Sequence, residues 1–341
     1  MNTQSLLKWL IGTPLIIALI GLLLQLPGEQ TIYFTWPYFL EVVIAGLLQG
    51  VMYSLVALGF VLIFKASGVF NFAQGSLVLF GALTMVGFME WGVPWPLAFI
   101  ITVGVMVLVA MGIERVVLRP LVNQEHIILF MATIGIFYFL DGFGQTLWGS
   151  NIKILDIGLP NSPMVLFAEP DAASDNPWKW GIQINQYDLI AALIGAVLVA
   201  GLAIFFQYTR IGRALRAVAD DHQAALSVGI PLKTIWVIVW SVAGIVALVA
   251  GVIWGGKAGV QFSLALIAFK ALPVLILGGF TSIPGAIIGG LIIGSSEQVA
   301  EVFIGPMVGG AIQEWFAYML ALVFLLFRPQ GLFGEKIIER V

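Results

Sequence analysis

The chain has 341 residues, of which 60% are hydrophobic and only 10% charged, where soluble domains carry roughly 25% charged residues. That composition excludes a water-soluble protein, no nucleic-acid partner is expected, and apolar runs of about 20 residues, long enough to cross a bilayer, recur from end to end. Zero cysteines remove disulfides, Cys-ligated zinc, iron–sulfur clusters and thiol catalysis together, and a net charge of −3 says little, because in a membrane only the distribution of charge is informative.

The apolar runs are solid, without the alternation a β-barrel needs, and the 39 glycines suit helices that approach closely. The first run, Trp9–Leu26, follows Lys8, and no small-residue cleavage pattern stands in LQLPGEQ. It reads as a retained span. Further runs lie at about 39–64, 69–89, 97–118 and 127–148. The longest polar stretch, 150–186, holds four prolines and more acids than lysines. Beyond it come runs at about 187–208, 234–254, 262–280, 283–303 and 311–327.

Lys and Arg mark cytoplasmic loops, which places Lys65, Arg115 with Arg119, Arg210–Arg216 with Lys233, and the C-terminal tail inside. The loops 27–37, 90–96 and 150–186 belong outside, the last as a periplasmic loop. The expected fold class is all-α: a polytopic helical membrane protein in one transmembrane domain, 1–341, with about ten hydrophobic segments and both termini cytoplasmic. In 255–310, which Gly and Pro interrupt, spanning and re-entrant helices both stay open.

Enzymatic equipment is missing. Gly251, Gly256 and Lys257 match the start of a phosphate-binding loop, but Ala258 stands where Ser or Thr should hold magnesium, and no strand precedes it. Asp220-Asp221 is a single acidic pair, read as a solvated helix face. His126 and His222 stand alone. No catalytic or metal-binding residue is assigned. Charges inside spans carry more, since they usually face a bundle interior or an aqueous path: Asp141, Lys270, Glu297 and Glu301. Glu41 and Glu314 reach an interface. No chain of acids and histidines forms a proton relay. Helix breaks are the second clue, because unwound backbone at membrane depth survives only inside protein or beside a cavity. One break is Asn71–Gly75. At Leu277–Gly285, a plain turn and an unwound segment both stay open. Asn71, Gln74, Asp141 and Glu297 are therefore candidates for a translocation path; for Asp141 a structural hydrogen-bonding role and a place at the interface also stay open. Gly285-x-x-x-Gly289 and Gly290-x-x-x-Gly294 read as close helix packing.

One polar island, Arg210–Pro231, separates two apolar runs. Arg213, Arg216, Asp220, Gln223 and Ser227 recur at helical spacing on one face, with Leu215, Val218, Ala225 and Leu226 opposite. Its charges do not help the helix: arginines sit at the positive end of the macrodipole, and Arg216 precedes Asp220 in the weaker order. The island is either a solvated loop or a surface built for a partner.

Four segments carry a resemblance. GLLQGVMYSLVALGFVLIFKASGVFNFAQGSLVLFGA (46–82), GRALRAVADDHQAALSVGI (212–230), LGGFTSIPGAIIGGLIIG (277–294) and FRPQGLFG (327–334) resemble, in the family's order, the signatures of permeases from branched-chain amino acid ABC importers, of the LivH-like type. Gln74 departs from the family, which often has His there, and 150–186 matches nothing. The resemblance implies a bacterial inner-membrane subunit without a cofactor of its own, ATP being bound by partners. Those are two ATP-hydrolysing subunits, alongside a second homologous permease and a periplasmic substrate-binding protein. It makes 209–233 the cytoplasmic ATPase-coupling segment, with Arg213, Arg216, Asp220, Gln223, Ala224, Ala225 and Gly229 as its contact residues. Related permeases also carry urea, short amides or small carboxylates. An ion-coupled secondary transporter remains the rival from another class; it explains the broken helices but gives the island no role.

Overall fold

A computed structural model of the chain describes residues 3–23, 35–121, 124–167, 181–220 and 222–334. Much of the loop 27–37, residues 168–180 of the loop 150–186, Asp221, and the tail cations Lys336 and Arg340 lie outside the described residues. The helices follow in order as α1 (Thr3–Leu23), α2 (Trp36–Ser67), α3 (Gln74–Glu90), α4 (Trp95–Gly112) and α5 (His126–Trp148). A hairpin, β1 (Pro163–Leu166) and β2 (Ile182–Asn185), precedes α6 (Gln186–Tyr208). Next come α7 (Arg210–Asp220), α8 (His222–Ser227), α9 (Leu232–Ala258) and α10 (Ile267–Gly278). The last are α11 (Ile283–Phe303), α12 (Gly305–Val308) and α13 (Gln313–Phe327). Among the described residues, six helical stretches are long and apolar enough to cross a membrane: α2, α4 extended to Leu121, α5, α6, α9 and α11. Shorter apolar helices among the same residues stand at Lys8–Leu23, Gln74–Glu90, Phe262–Gly278 and Gln313–Phe327. The fold is that of a mostly helical polytopic membrane protein, with one short hairpin beside the helices.

The chain divides into two compact units. The first comprises 1–54, 159–194 and 272–341. Its axis is α11, and its packing is dictated by glycine. A Cβ at Gly46 would sit 2.6 Å from the Gly294 carbonyl oxygen, and one at Gly289 would sit 2.6 Å from that of Val274. Gly50 and Gly290 meet backbone to backbone. Lipid tails are as apolar as leucine, so such helices associate through close packing and small residues. Ser54 Oγ, which donates to Gly50 O at 2.8 Å, lies 3.1 Å from Ala286 O on α11. Ile17, Ala18, Phe39, Val42, Val299, Ala300, Phe303 and Ile312 form a buried cluster at one end. In the hairpin Ile182 and Ile184 are buried and Gln183 and Asn185 exposed, the period of two that a strand imposes. Glu41 accepts a hydrogen bond from the Gln183 amide at 2.9 Å.

At the other end of this unit two family-like segments meet. Gly279 (φ +102°) leaves α10, and Ser282 caps α11 by accepting from Gly285 N at 3.0 Å. Leu277–Gly285 is thus a short turn between helices. The chain after α13 folds back onto it: Leu332 N donates to Leu277 O at 2.8 Å and Phe333 N to Gly278 O at 3.2 Å. Gly331 (φ +77°) makes the reversal, and a Cβ there would stand 2.9 Å from Gly279 N.

The second unit comprises 55–158 and 195–271. Helix α3 is its core, buried without interruption from Gln74 to Gly87, and it packs on α9, α5 and α4. Gly81 brings α3 close to Leu248 of α9, where a Cβ would lie 3.0 Å from the Leu248 Cα. After α4 the chain widens into a π-helical turn, Ile113–Leu118. That turn brings Glu114, buried, to a bidentate pair with Arg119 at 2.8 and 3.2 Å. Residues five apart do not face each other on an α-helix, so helical spacing could not reveal this pair. Lys153 pairs with Glu90, and its backbone bridges to Val260.

Candidate functional site

The break between α2 and α3 is built by short polar side chains. Ser67 Oγ donates back to Ile63 O at 2.8 Å and accepts from Val69 N at 3.3 Å, and Gly68 takes φ +69°, which ends α2. Asn71 Oδ1 accepts from Ala73 N at 3.1 Å, an Asx turn leading into α3, while Asn71 Nδ2 reaches Gln74 Oε1 at 3.4 Å. Both side chains are fully buried. The Gln74 Nε2 group has no hydrogen-bond partner and lies against Gly59, where a Cβ would collide with it. Thr133 of α5 holds the crossing, accepting from Phe72 N at 3.1 Å and donating to Phe130 O at 2.8 Å. Asn71 and Gln74 are thus brought together.

Asp141 stands apart from that pair on α5, half-buried at the border of the stripe Phe137–Leu140–Gly144, with Gln145 Nε2 3.3 Å from both carboxylate oxygens. Glu297 belongs to the first unit. It is buried and accepts from Tyr53 Oη at 3.2 Å. Behind Tyr53 the donors all point one way: Gln313 Nε2 to Gln298 Oε1 at 3.3 Å, Gln298 Nε2 to Gln49 Oε1 at 2.7 Å, and Gln49 Nε2 to Tyr53 Oη at 2.6 Å. Glu301 accepts the amides of Ala311 and Gln313 at 2.9 and 3.0 Å. The chain of dipoles delivers a hydrogen bond to the Glu297 carboxyl in a low-dielectric interior, where such networks are strongest. Gln49, Tyr53, Gln298 and Gln313 were not singled out from the sequence; the Tyr53–Glu297 contact joins residues 244 positions apart.

The polar island forms α7 and α8. Thr209 Oγ1 caps α7 through Gly212 N at 3.1 Å. Leu215, Val218 and Ala225 are buried, the first two on α7 and the last on α8. Ala225, expected as a partner contact, therefore packs inward, and Leu226, expected on the inward face, is exposed together with Val228. Asp220 closes α7, and Gln223 and Ala224 lie in α8. Gly229 ends α8 with φ +86°, and Ile230 N returns to Ala225 O at 3.0 Å, a left-handed helix stop. The arginines have a task that the sequence hid. Arg216 Nη1 and Nη2 donate to Phe206 O at 2.7 Å and Gln207 O at 3.2 Å, and Arg213 Nη1 to Tyr208 O at 3.2 Å. Placed unfavourably for α7, they cap the negative end of α6. Gly212, also unsuspected, touches Phe206 so closely that no Cβ fits.

Gly251, Gly256 and Lys257 lie within the continuous helix α9, so no phosphate-binding loop exists there. Among the described residues no group of three His, Cys, Asp or Glu could hold a metal.

Residues 42–328 match the family described as branched-chain amino acid transport system / permease component. The chain belongs to this family. The branched-chain amino acid permeases are transport components, not enzymes. Among them, the high-affinity branched-chain amino acid transport system permease protein BraD of Pseudomonas aeruginosa is 30% identical, over 89% of this chain and 98% of that protein. The corresponding LivH of Escherichia coli is 29% identical over the same shares. Among solved structures, PsaBC from Streptococcus pneumoniae in complex with Fab is similar at TM-score 0.42 and 14% identity, covering 92% of this chain and 94% of that one.

Proposed function

We propose that the chain is the permease subunit of an ATP-driven importer of branched-chain or other small amino acids in a bacterial inner membrane. It works with a second homologous permease, two ATP-hydrolysing subunits and a periplasmic substrate-binding protein. The observation that carries this reading is the segment 209–233. Two short helices outside the apolar spans bury Leu215 and Val218 against their own chain and leave Arg213, Leu226 and Val228 exposed. A polar and apolar mixture of this kind suits a helix-in-groove contact. The Arg216 bonds tie the segment to the end of α6, so a displacement imposed on α7 is passed to a membrane-spanning helix.

Ten spans with both termini cytoplasmic agree with loop pairing inside each unit. Glu90, Lys153 and Val260 meet, and all three fall on the outer side. Leu277–Gly278 and Leu332–Phe333 meet, and both fall on the inner side. The path residues in this reading are Asn71, Gln74, Asp141 and Glu297. The test is co-purification in mild detergent followed by ATPase assay. An ATP-hydrolysing subunit should be retained, and Leu226→Glu with Val228→Glu should release it while the permease still inserts. Retention in that double variant would remove the segment from the contact.

A further inference from the structure

Phe72 sits in the break between α2 and α3, and its ring touches four others in the same unit. Phe269 is 5.6 Å away, Phe137 5.8 Å, Phe130 6.1 Å and Phe70 6.4 Å, all edge-on. Phe137 is buried, but Phe70, Phe72, Phe130 and Phe269 are only half-buried, so the cluster keeps an open edge. A core cluster closes over all its members; this one presents an aromatic surface. Phe72 is also free of helical hydrogen bonding, its amide being held by the Thr133 hydroxyl. Its ring can therefore yield without breaking a helix. One residue before it stands Asn71, and two after it Gln74, both fully buried, with Gln74 Nε2 lacking a partner. An unpaired buried amide donor is costly and is satisfied by an anionic oxygen. Apolar rings and a buried donor within two residues match the two ends of one ligand class: an amino acid with a branched aliphatic side chain and a carboxylate.

We propose that Phe72 and the rings around it receive the aliphatic side chain of the substrate during passage, with Phe72 the specificity-determining residue and Gln74 the donor to the carboxylate. This rests on the importer reading above. The test uses the complex with its ATP-hydrolysing subunits and binding protein in proteoliposomes, and a diazirine analogue of leucine as probe. Photolysis during turnover should label peptides containing Phe70–Gln74 or Phe130–Phe137, and excess leucine should compete the label away. At saturating leucine, uptake should fall about tenfold in Phe72→Ala, the scale of lost contacts in an apolar pocket, and stay within about threefold in Phe72→Leu. Active leucine import with competed label confined to other peptides overturns this assignment alone. Failure of the unmutated complex to import any amino acid overturns the importer reading, and this assignment with it.

Discussion

At Arg216 a single guanidinium shows why charge in this chain has to be judged by its neighbours. It bonds Phe206 O and Gln207 O, so it stabilises the C-terminal end of α6, where a cation is favourable by roughly 0.3–1 kcal/mol. Arg216→Glu replaces that with repulsion and should uncouple ATP hydrolysis from substrate, whereas Arg216→Lys should keep part of the coupling. The measurement is substrate-stimulated hydrolysis by the reconstituted complex, and full stimulation in Arg216→Glu would contradict the role. Gly212 is the matching steric requirement, since a Cβ there meets the Phe206 backbone. Gly212→Val should tilt α7 off α6 and abolish stimulation while leaving the permease inserted, as detergent-extracted yield and ATPase assay would report. The alternation of Arg213, Arg216, Leu215 and Val218 was legible as an amphipathic helix. The carbonyls the arginines would cap were not, because only folding sets α7 against the end of α6.

Among the elements, the solid apolar runs were legible as helices because a membrane leaves the backbone little other choice. The run beginning near Val69 starts as a helix only at Gln74, since Gly68 and the Asn71 turn take up the intervening residues. The π-helical turn and the hairpin escaped for a shared reason: their pairings, Glu114 with Arg119 and Pro163 with Asn185, follow neither a helical nor an adjacent-strand period. The turn Leu277–Gly285 and the segment Arg328–Gly334 read as separate signatures, yet they form one backbone clasp. Gly331→Val forces a β-branched residue to φ +77°, at a cost of about 1–2 kcal/mol, against a contact with no room. Its thermal midpoint in detergent should drop by several degrees, with Gly331→Asn dropping less. Equal midpoints in all three proteins would show that the clasp adds no stability.

For the whole molecule, side assignment from Lys and Arg predicts where labels reach. The chain has no native cysteine, so Asp156→Cys and Ser227→Cys each offer one site, both exposed. In intact cells an impermeant thiol reagent should label the first and spare the second, and labelling of both would break the ten-span arrangement. The central claim is that transport by this chain is driven by ATP hydrolysed on partner subunits. The break at Asn71–Gly75 alone fits an ion-coupled carrier as well, and the proposed coupling role of 209–233 is what separates the two. The direct measurement is leucine accumulation in proteoliposomes containing the chain with the proposed ATP-hydrolysing subunits, second permease and binding protein. Accumulation should require ATP and binding protein together, and should persist when sodium and proton gradients are dissipated. Leucine accumulation by the chain alone, driven by either ion gradient without ATP, would contradict the account.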